Sequence, residues 1–344
     1  MDRHAGIEGQ LKIVMSVQQA EIMISSTRPL RAINQLLQGK TLEQALALVP
    51  LLFNICGTAH NLAALKAASA LLKQPIDSEL AAACHDVVEL ETGREHVQRI
   101  LLDWSAWLGV SLDMALMRQA LPLLPTAKQT WFERGKAFQL TSQLKQHAEQ
   151  RAELKQQWQS FLEEQIFARP LAQFQAFSLD DLQAWIAQSA TLPAQALQQL
   201  QHQHWGCLGA NDVAPEQERS VLTRQAPQPL MKAVLAEYGN GVFSRWVARL
   251  LELARGTGEP INQTVQAARG ALWHQVVLDA NQRIQYYWIH APTEVNFAQG
   301  GVVTAGLKTL CQTQCSAELL KAQADLWIQA VDPCVSYQLE IHYA

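Results

Sequence analysis

Asn54-Ile55-Cys56-Gly57-Thr58-Ala59-His60 is the stretch on which the reading of this chain turns. It reads as half of a C-x-x-C pair, because Phe53 stands three residues before Cys56. The counterpart lies at the far end, in Asp332-Pro333-Cys334-Val335-Ser336-Tyr337, where Tyr337 stands three residues after Cys334. Thiolates are soft ligands that suit late transition metals and low-spin iron. Two half-motifs so far apart therefore predict a fold that closes its ends on one incomplete metal site.

The rest of the composition narrows the class. With 344 residues, 49% hydrophobic and 17% charged, the chain can bury a large core and is globular. A net charge of −4 leaves no basic footprint for nucleic acid. The uncharged run from Gln44 to Leu65 contains Pro50, Asn54, His60 and Asn61, so it reads as core and no membrane insertion is expected. Six irregularly spaced cysteines are not a disulfide framework, and with no secretory signal a reducing cytoplasm is expected.

Outward from the quoted stretch, Ala63, Ala64, Ala67, Ala68 and Leu71 continue at helical spacing. Pro75 breaks the pattern and Ser78 is a candidate cap for the next helix. Before the stretch, Gly9 to Val17 alternates and is followed by Glu21-Ile22-Met23-Ile24, a predicted β-hairpin. The Gln-rich middle, about 126–227, is helical; Phe138, Leu140, Leu144, Leu154, Trp158 and Phe161 predict one long amphipathic helix, with a partner after Pro170. Val276 to Ile289 reads as two strands about a turn at Asp279 to Asn281, Ala317 to Ala330 as a helix, and Val335 to Ile341 as a terminal strand. The expected class is mainly α with small β elements near both termini, in a single domain over 1–344.

Four separated segments, the last in two pieces, and the C-terminus resemble in order the large subunit of nickel–iron hydrogenases. Ile7-Glu8-Gly9-Gln10-Leu11-Lys12-Ile13 is similar to R-I-E-G-H-L-R-I, and Arg31-Ala32-Ile33-Asn34 with Leu37-Gln38-Gly39-Lys40 to R-G-I-E…L-x-G-R. The Cys56 to His60 segment is the third. Ala268-Arg269-Gly270-Ala271-Leu272-Trp273-His274 is similar to A-P-R-G-A-L-x-H, and Ala291-Pro292-Thr293-Glu294-Val295-Asn296 to V-P-[ST]-x-W-N. Asp332-Pro333-Cys334 completes the set, and the helical middle carries no match.

The resemblance implies a shortened large-subunit-like fold and a specific subtraction. Counting without gaps from Asn34 places Cys56 on the thiolate that bridges nickel and iron and His60 on the family's histidine, while Phe53 replaces a nickel-only ligand. Cys334 matches a nickel-only ligand, and Tyr337 replaces the second bridge. Arg269 and Thr293 match the donors to the iron-bound cyanides, with Pro292 shaping the apolar wall. Two thiolates cannot build the four-sulfur nickel site, so iron as Fe(CN)2CO, transiently bound, is expected and nickel is not. Asn34 and Glu340 stand where the family's magnesium ligands are, which puts that ion in doubt, with His342 a partial substitute. Glu8 matches a relay glutamate, and the chain ends at Ala344 without the peptide that family precursors lose.

That pattern is similar to accessory proteins of the HupK/HoxV type and implies a non-catalytic scaffold whose partners are the hydrogenase large subunit and maturation chaperones. The alternatives are a divergent catalytic large subunit and a metal-free structural relative. Elsewhere the plain readings prevail: Cys84 and Cys207 as packing residues, His202, His204 and Cys207 as a solvated helix end, Cys311 and Cys315 as half-buried helix residues, and His85, Glu91 and His96 as a surface ion-pair network.

Overall fold

The structure, a computed structural model, describes residues 9–53, 55–133, 137–258 and 264–343, with the side chains at 30 and 31 excepted. Ile7, Glu8, Asn54 and the side chain of Arg31 therefore lie outside the described residues. The alternating start forms β1 (Gln10–Ser16) and β2 (Glu21–Ser26), paired antiparallel with Ile13 opposite Ile24. The terminal alternation forms β6 (Ser336–His342), which runs parallel to β1 with Leu11 opposite Tyr337. One face of β1 buries Leu11, Ile13 and Met15, which fixes the register. The two ends of the chain thus meet in one sheet, of order β2-β1-β6.

A second sheet takes β3 (Val265–Ala267), β4 (Gly270–Leu278) and β5 (Ile284–His290) in order. Its hairpin is closed by Asp279, whose Oδ1 accepts the Asn281 and Arg283 N–H groups at 2.9 Å each. Against this sheet pack α1 (Leu30–Leu37) and α3 (Gly57–Leu72), and α3 in turn packs on α2 (Leu42–Leu52) and α4 (Ser78–Arg99). Buried Ala59, Ala63, Ala64 and Ala68 let α3 approach closely. The cap of α4 is Asp77 and not Ser78: its Oδ1 accepts the Glu79 and Leu80 N–H groups at 2.9 and 3.2 Å. Asp77 keeps the extended ψ that a capping residue needs, whereas Ser78 is already helical.

The single long helix expected in the middle is shorter. It covers Ala148–Phe161 and runs on as a π-helical turn, Leu162–Phe167. Phe138 is buried at φ +59°, Leu144 bridges to Phe132, and the Ser142 hydroxyl accepts the Gln139 N–H at 2.7 Å. Such local side-chain bonds compete with helix formation. Beyond Pro170 the partner is a series of short helices, Leu171–Gln175, Leu179–Gln188 and Leu192–His202. No helix among the described residues is long and apolar enough to cross a membrane.

The buried apolar residues form two clusters. The larger joins the β1 sheet to the buried helix Val242–Arg255 and the helix Ala317–Val331. The smaller joins α1 to α4 and the second sheet. Between them Glu252 is buried with both oxygens bound by Arg224 at 2.5 Å, one by His96 at 2.9 Å and the other by Gln225 at 3.1 Å. Burial alone would raise its pKa, but Arg224 and His96 outweigh it and hold the carboxyl at about 2. The folded value lies below the unfolded one, so this stabilisation is present above pH ~4.5 and lost as pH falls toward 2. It amounts to about 3 kcal/mol. Urea midpoints are therefore expected to fall between pH 5 and 3, and Glu252→Gln should flatten that fall. An unchanged acid slope in the variant would show that other carboxylates govern it.

Candidate functional site

Cys56 occupies the N-cap position of α3, just after the extended Phe53 that ends α2. The first N–H groups of a helix have no partner within it. Here the Thr58 and Ala59 N–H groups donate to Glu91 of α4 at 2.8 Å each. The Cys56 loop is thereby pinned from beneath by a buried carboxylate. This corrects the surface network expected for His85, Glu91 and His96. Glu91 and His96 are buried, and half-buried His85 meets the Gly258 carbonyl at 3.2 Å. The helix faces inward along that stripe because its charges have buried partners.

Arg269 sits at the turn between β3 and β4. Gly270 makes that turn possible: its φ is +133°, and an added Cβ would lie 2.1 Å from the Arg219 carbonyl oxygen. The guanidinium is buried. Its Nη1 donates to Glu95 at 2.9 Å and lies 3.6 Å from Cys56 Sγ, and its Nη2 donates to Asp332 at 3.3 Å. Nε is 3.2 Å from Asp332 Oδ2 but makes no hydrogen bond. Of the five guanidinium N–H groups, three are engaged. Burial pushes the Cys56 thiol well up, Arg269 pulls it down, and Glu91 and Cys334 push it further up. A soft metal that binds there must displace a proton.

Asp332 carries the other end. It terminates the helix Ala317–Val331 in the left-handed conformation, with φ +64°. Arg269, Arg99 and Arg249 converge on its buried carboxylate, Arg99 Nε at 3.1 Å and Arg249 Nη2 at 3.4 Å. Burial works to raise its pKa, but the three cations win and hold it below the usual range. Two residues on, half-buried Cys334 meets Thr293: the threonine hydroxyl lies 3.1 Å from Cys334 Sγ and accepts the Cys334 N–H at 3.2 Å. Pro292 and Thr293 are buried at the start of the short helix Pro292–Asn296.

The structure therefore joins Cys56, Arg269 and Asp332 by direct contacts, and pairs Thr293 with Cys334, two residues on from Asp332. Cys56 belongs to the smaller apolar cluster and Cys334 packs on the larger, so the site lies at their seam. His60 is buried beside it. Phe53 stacks on the His60 ring at 3.6 Å between centroids and 2° between planes, and His60 Nδ1 meets His274 Nε2 at 2.9 Å. Burial, His274 and Arg28 all keep His60 neutral. Tyr337 takes a different direction: its hydroxyl donates to Asp325 at 3.2 Å on the helix Ala317–Val331. Asn34 accepts the Tyr287 N–H at 2.8 Å, Glu340 pairs with Lys12 at 2.9 Å, and His342 is exposed on β6. No cluster of three or more His, Cys, Asp or Glu able to hold a metal is present among the described residues.

Sequence reading missed Glu95, Arg99, Arg249 and the roles of Glu91 and Asp332. A signal was there for part of the set. Glu91, Glu95, Arg99 and Asp103 recur every four residues, which aligns them along one side of a helix. Arg28 was also missed; its buried side chain pairs with Glu294 at 2.5 Å, next to Thr293.

Comparison with known proteins places this arrangement. No family model matches the chain. It is 27% identical over 373 residues to the hydrogenase expression/formation protein HupV of Azotobacter chroococcum mcd 1, covering 98% of this chain and 99% of that one. To the hydrogenase expression/formation protein HupK of Azotobacter vinelandii it is 29% identical over 365 residues, with the same coverage. Among solved structures, the reduced, active Ni-Fe-Se hydrogenase of Desulfomicrobium baculatum aligns over 91% of this chain and 93% of that chain, with a TM-score of 0.63 and 11% identity. These structural neighbours show the large-subunit fold. By end-to-end similarity the chain resembles the HupK and HupV hydrogenase expression/formation proteins, and its fold is that of the nickel–iron hydrogenase large subunits.

Proposed function

We propose that this protein is a non-catalytic scaffold in hydrogenase maturation that holds the iron–dicyanide–carbonyl unit as cargo before it passes to a hydrogenase large subunit. The relatives named as hydrogenase expression/formation proteins support the maturation role. One observation carries the finer reading: two free thiols from opposite ends of the chain lie beside a buried guanidinium and a buried threonine hydroxyl. Cys56 and Cys334 would offer sulfur to an iron that brings its own diatomic ligands. The unengaged Arg269 N–H groups and the Thr293 hydroxyl would bond the cyanide nitrogens, each charge-assisted bond contributing about 1.5–3 kcal/mol. Phe53 and Tyr337 add no sulfur, so the cargo would be held by half the thiolates of the related enzymes and released more readily.

The test is infrared spectroscopy on protein purified anaerobically after co-expression with hydrogenase maturation factors. Bands of bound cyanide and carbon monoxide are expected, with iron by metal analysis. Cys56→Ala should abolish them. Their absence from a sample with proven expression of those factors, or their survival in the alanine variant, would overturn the reading.

A further inference from the structure

The second sheet holds a chain of buried rings that ends at the site. Tyr287 on β5 places its hydroxyl 2.7 Å from His274 Nδ1 on β4, and His274 Nε2 lies 2.9 Å from His60 Nδ1. All three residues are buried. The Tyr287 backbone is fixed by Asn34, which accepts its N–H.

A chain of this kind has two polarities. Either each proton points toward His60, or each points toward Tyr287. In the second case Tyr287 would accept from His274, and its own O–H would need another acceptor. Among the described residues, His274 Nδ1 is the group its hydroxyl meets. A buried hydroxyl without an acceptor loses its desolvation cost uncompensated. The first polarity leaves over the His60 Nε2–H instead, on an atom that is not among the fully enclosed, unpartnered ones. Burial keeps the phenol protonated and both imidazoles neutral, with His274 held at about 3 by burial and His290.

We propose that Tyr287, acting through His274, is a positioning residue that locks His60 in its Nε2–H tautomer. His60 then serves the site as a hydrogen-bond donor and not as a metal ligand: Nδ1 is occupied by His274, and Nε2 carries the hydrogen. The stacked Phe53 ring holds the imidazole plane. The ligand class suited to such a donor is an acceptor atom such as a metal-bound cyanide nitrogen or a thiolate. This last step rests on the function proposed above; the tautomer does not.

Histidine-selective 15N labelling and long-range proton–nitrogen correlation on the metal-free, reduced protein test the lock. The chain has ten histidines, and His60→Gln and His274→Gln spectra assign the two signals. Wild-type protein is expected to show the Nε2–H pattern alone at both rings. Tyr287→Phe removes one oxygen and is expected to convert His60 to a mixture of both tautomers; His274→Leu should do the same from one link nearer. An Nδ1–H pattern at His60 in the wild type, or a His60 signal unmoved in both variants, would overturn the lock. A variant that fails to fold leaves the wild-type pattern as the deciding measurement. Missing infrared bands in cargo-loaded protein with the Nε2–H pattern intact would instead defeat the proposed function and leave the lock standing.

Discussion

Arg269→Met is expected to destabilise the fold by about 3–5 kcal/mol, the cost of stranding a buried charge by removing its partner. The guanidinium is buried and joins Glu95, Asp332 and Cys56, which belong to segments otherwise far apart in the chain. Methionine fills the volume but carries no charge, so Glu95 and Asp332 each lose a cation, and Arg94 on one side and Arg99 with Arg249 on the other offset only part of that loss. Arg269→Lys should recover part of the loss, because the charge returns without the planar fork. Urea unfolding of the three proteins checks this. A loss below about 1 kcal/mol for methionine would mean the pair is as weak as an exposed one. Any residual folded Arg269→Met protein should also shift or weaken the infrared bands expected of the proposed cargo.

Asp332→Asn is expected to be nearly as damaging, by about 3–5 kcal/mol, for the opposite reason. One carboxylate neutralises three converging guanidiniums. Asparagine keeps the shape and tolerates the left-handed backbone found there, so backbone strain does not confuse the result. What is lost is the charge. Combining Asp332→Asn with Arg249→Met should restore part of the stability, because one of the stranded cations is removed. If the double variant is less stable than the sum of the single losses, repulsion among the three cations is not the cause. The same carboxylate is held ionised below its usual range, so wild-type protein should lose this contribution as pH falls through that lowered value, not near neutrality.

Both predictions concern residues that sequence reading treated unevenly. Arg269, Thr293, Cys56 and Cys334 stood out because each sits in a short motif whose neighbours constrain it; Gly270 beside Arg269 is one such neighbour, required by a close backbone approach. Asp332 was quoted only as part of its tripeptide. Glu95, Arg99 and Arg249 were invisible as a group because they lie on helices, where charged residues are ordinarily solvated. Glu91 was read as surface for the same reason, and it caps the helix that follows Cys56.

The strands and the principal helices were legible because their periods differ: β1, β2, β4, β5 and β6 alternate, while α3 and α4 repeat every three to four residues. The middle misled, since apolar residues at 138–144 share a helical spacing with those of Ala148–Phe161 but belong to a folded-back loop.

Taken alone, the sequence determined the class of fold and singled out Cys56, Cys334, Arg269 and Thr293 as candidates, because these depend on residue type, spacing and order. Only tertiary structure decided which charges meet. Parallel pairing of β1 with β6 brings the last residues back to the first, and the seam between two apolar clusters then collects carboxylates from α4 and arginines from three separate elements. Burial makes each of those groups demand a partner, and a chain read residue by residue carries no record of burial.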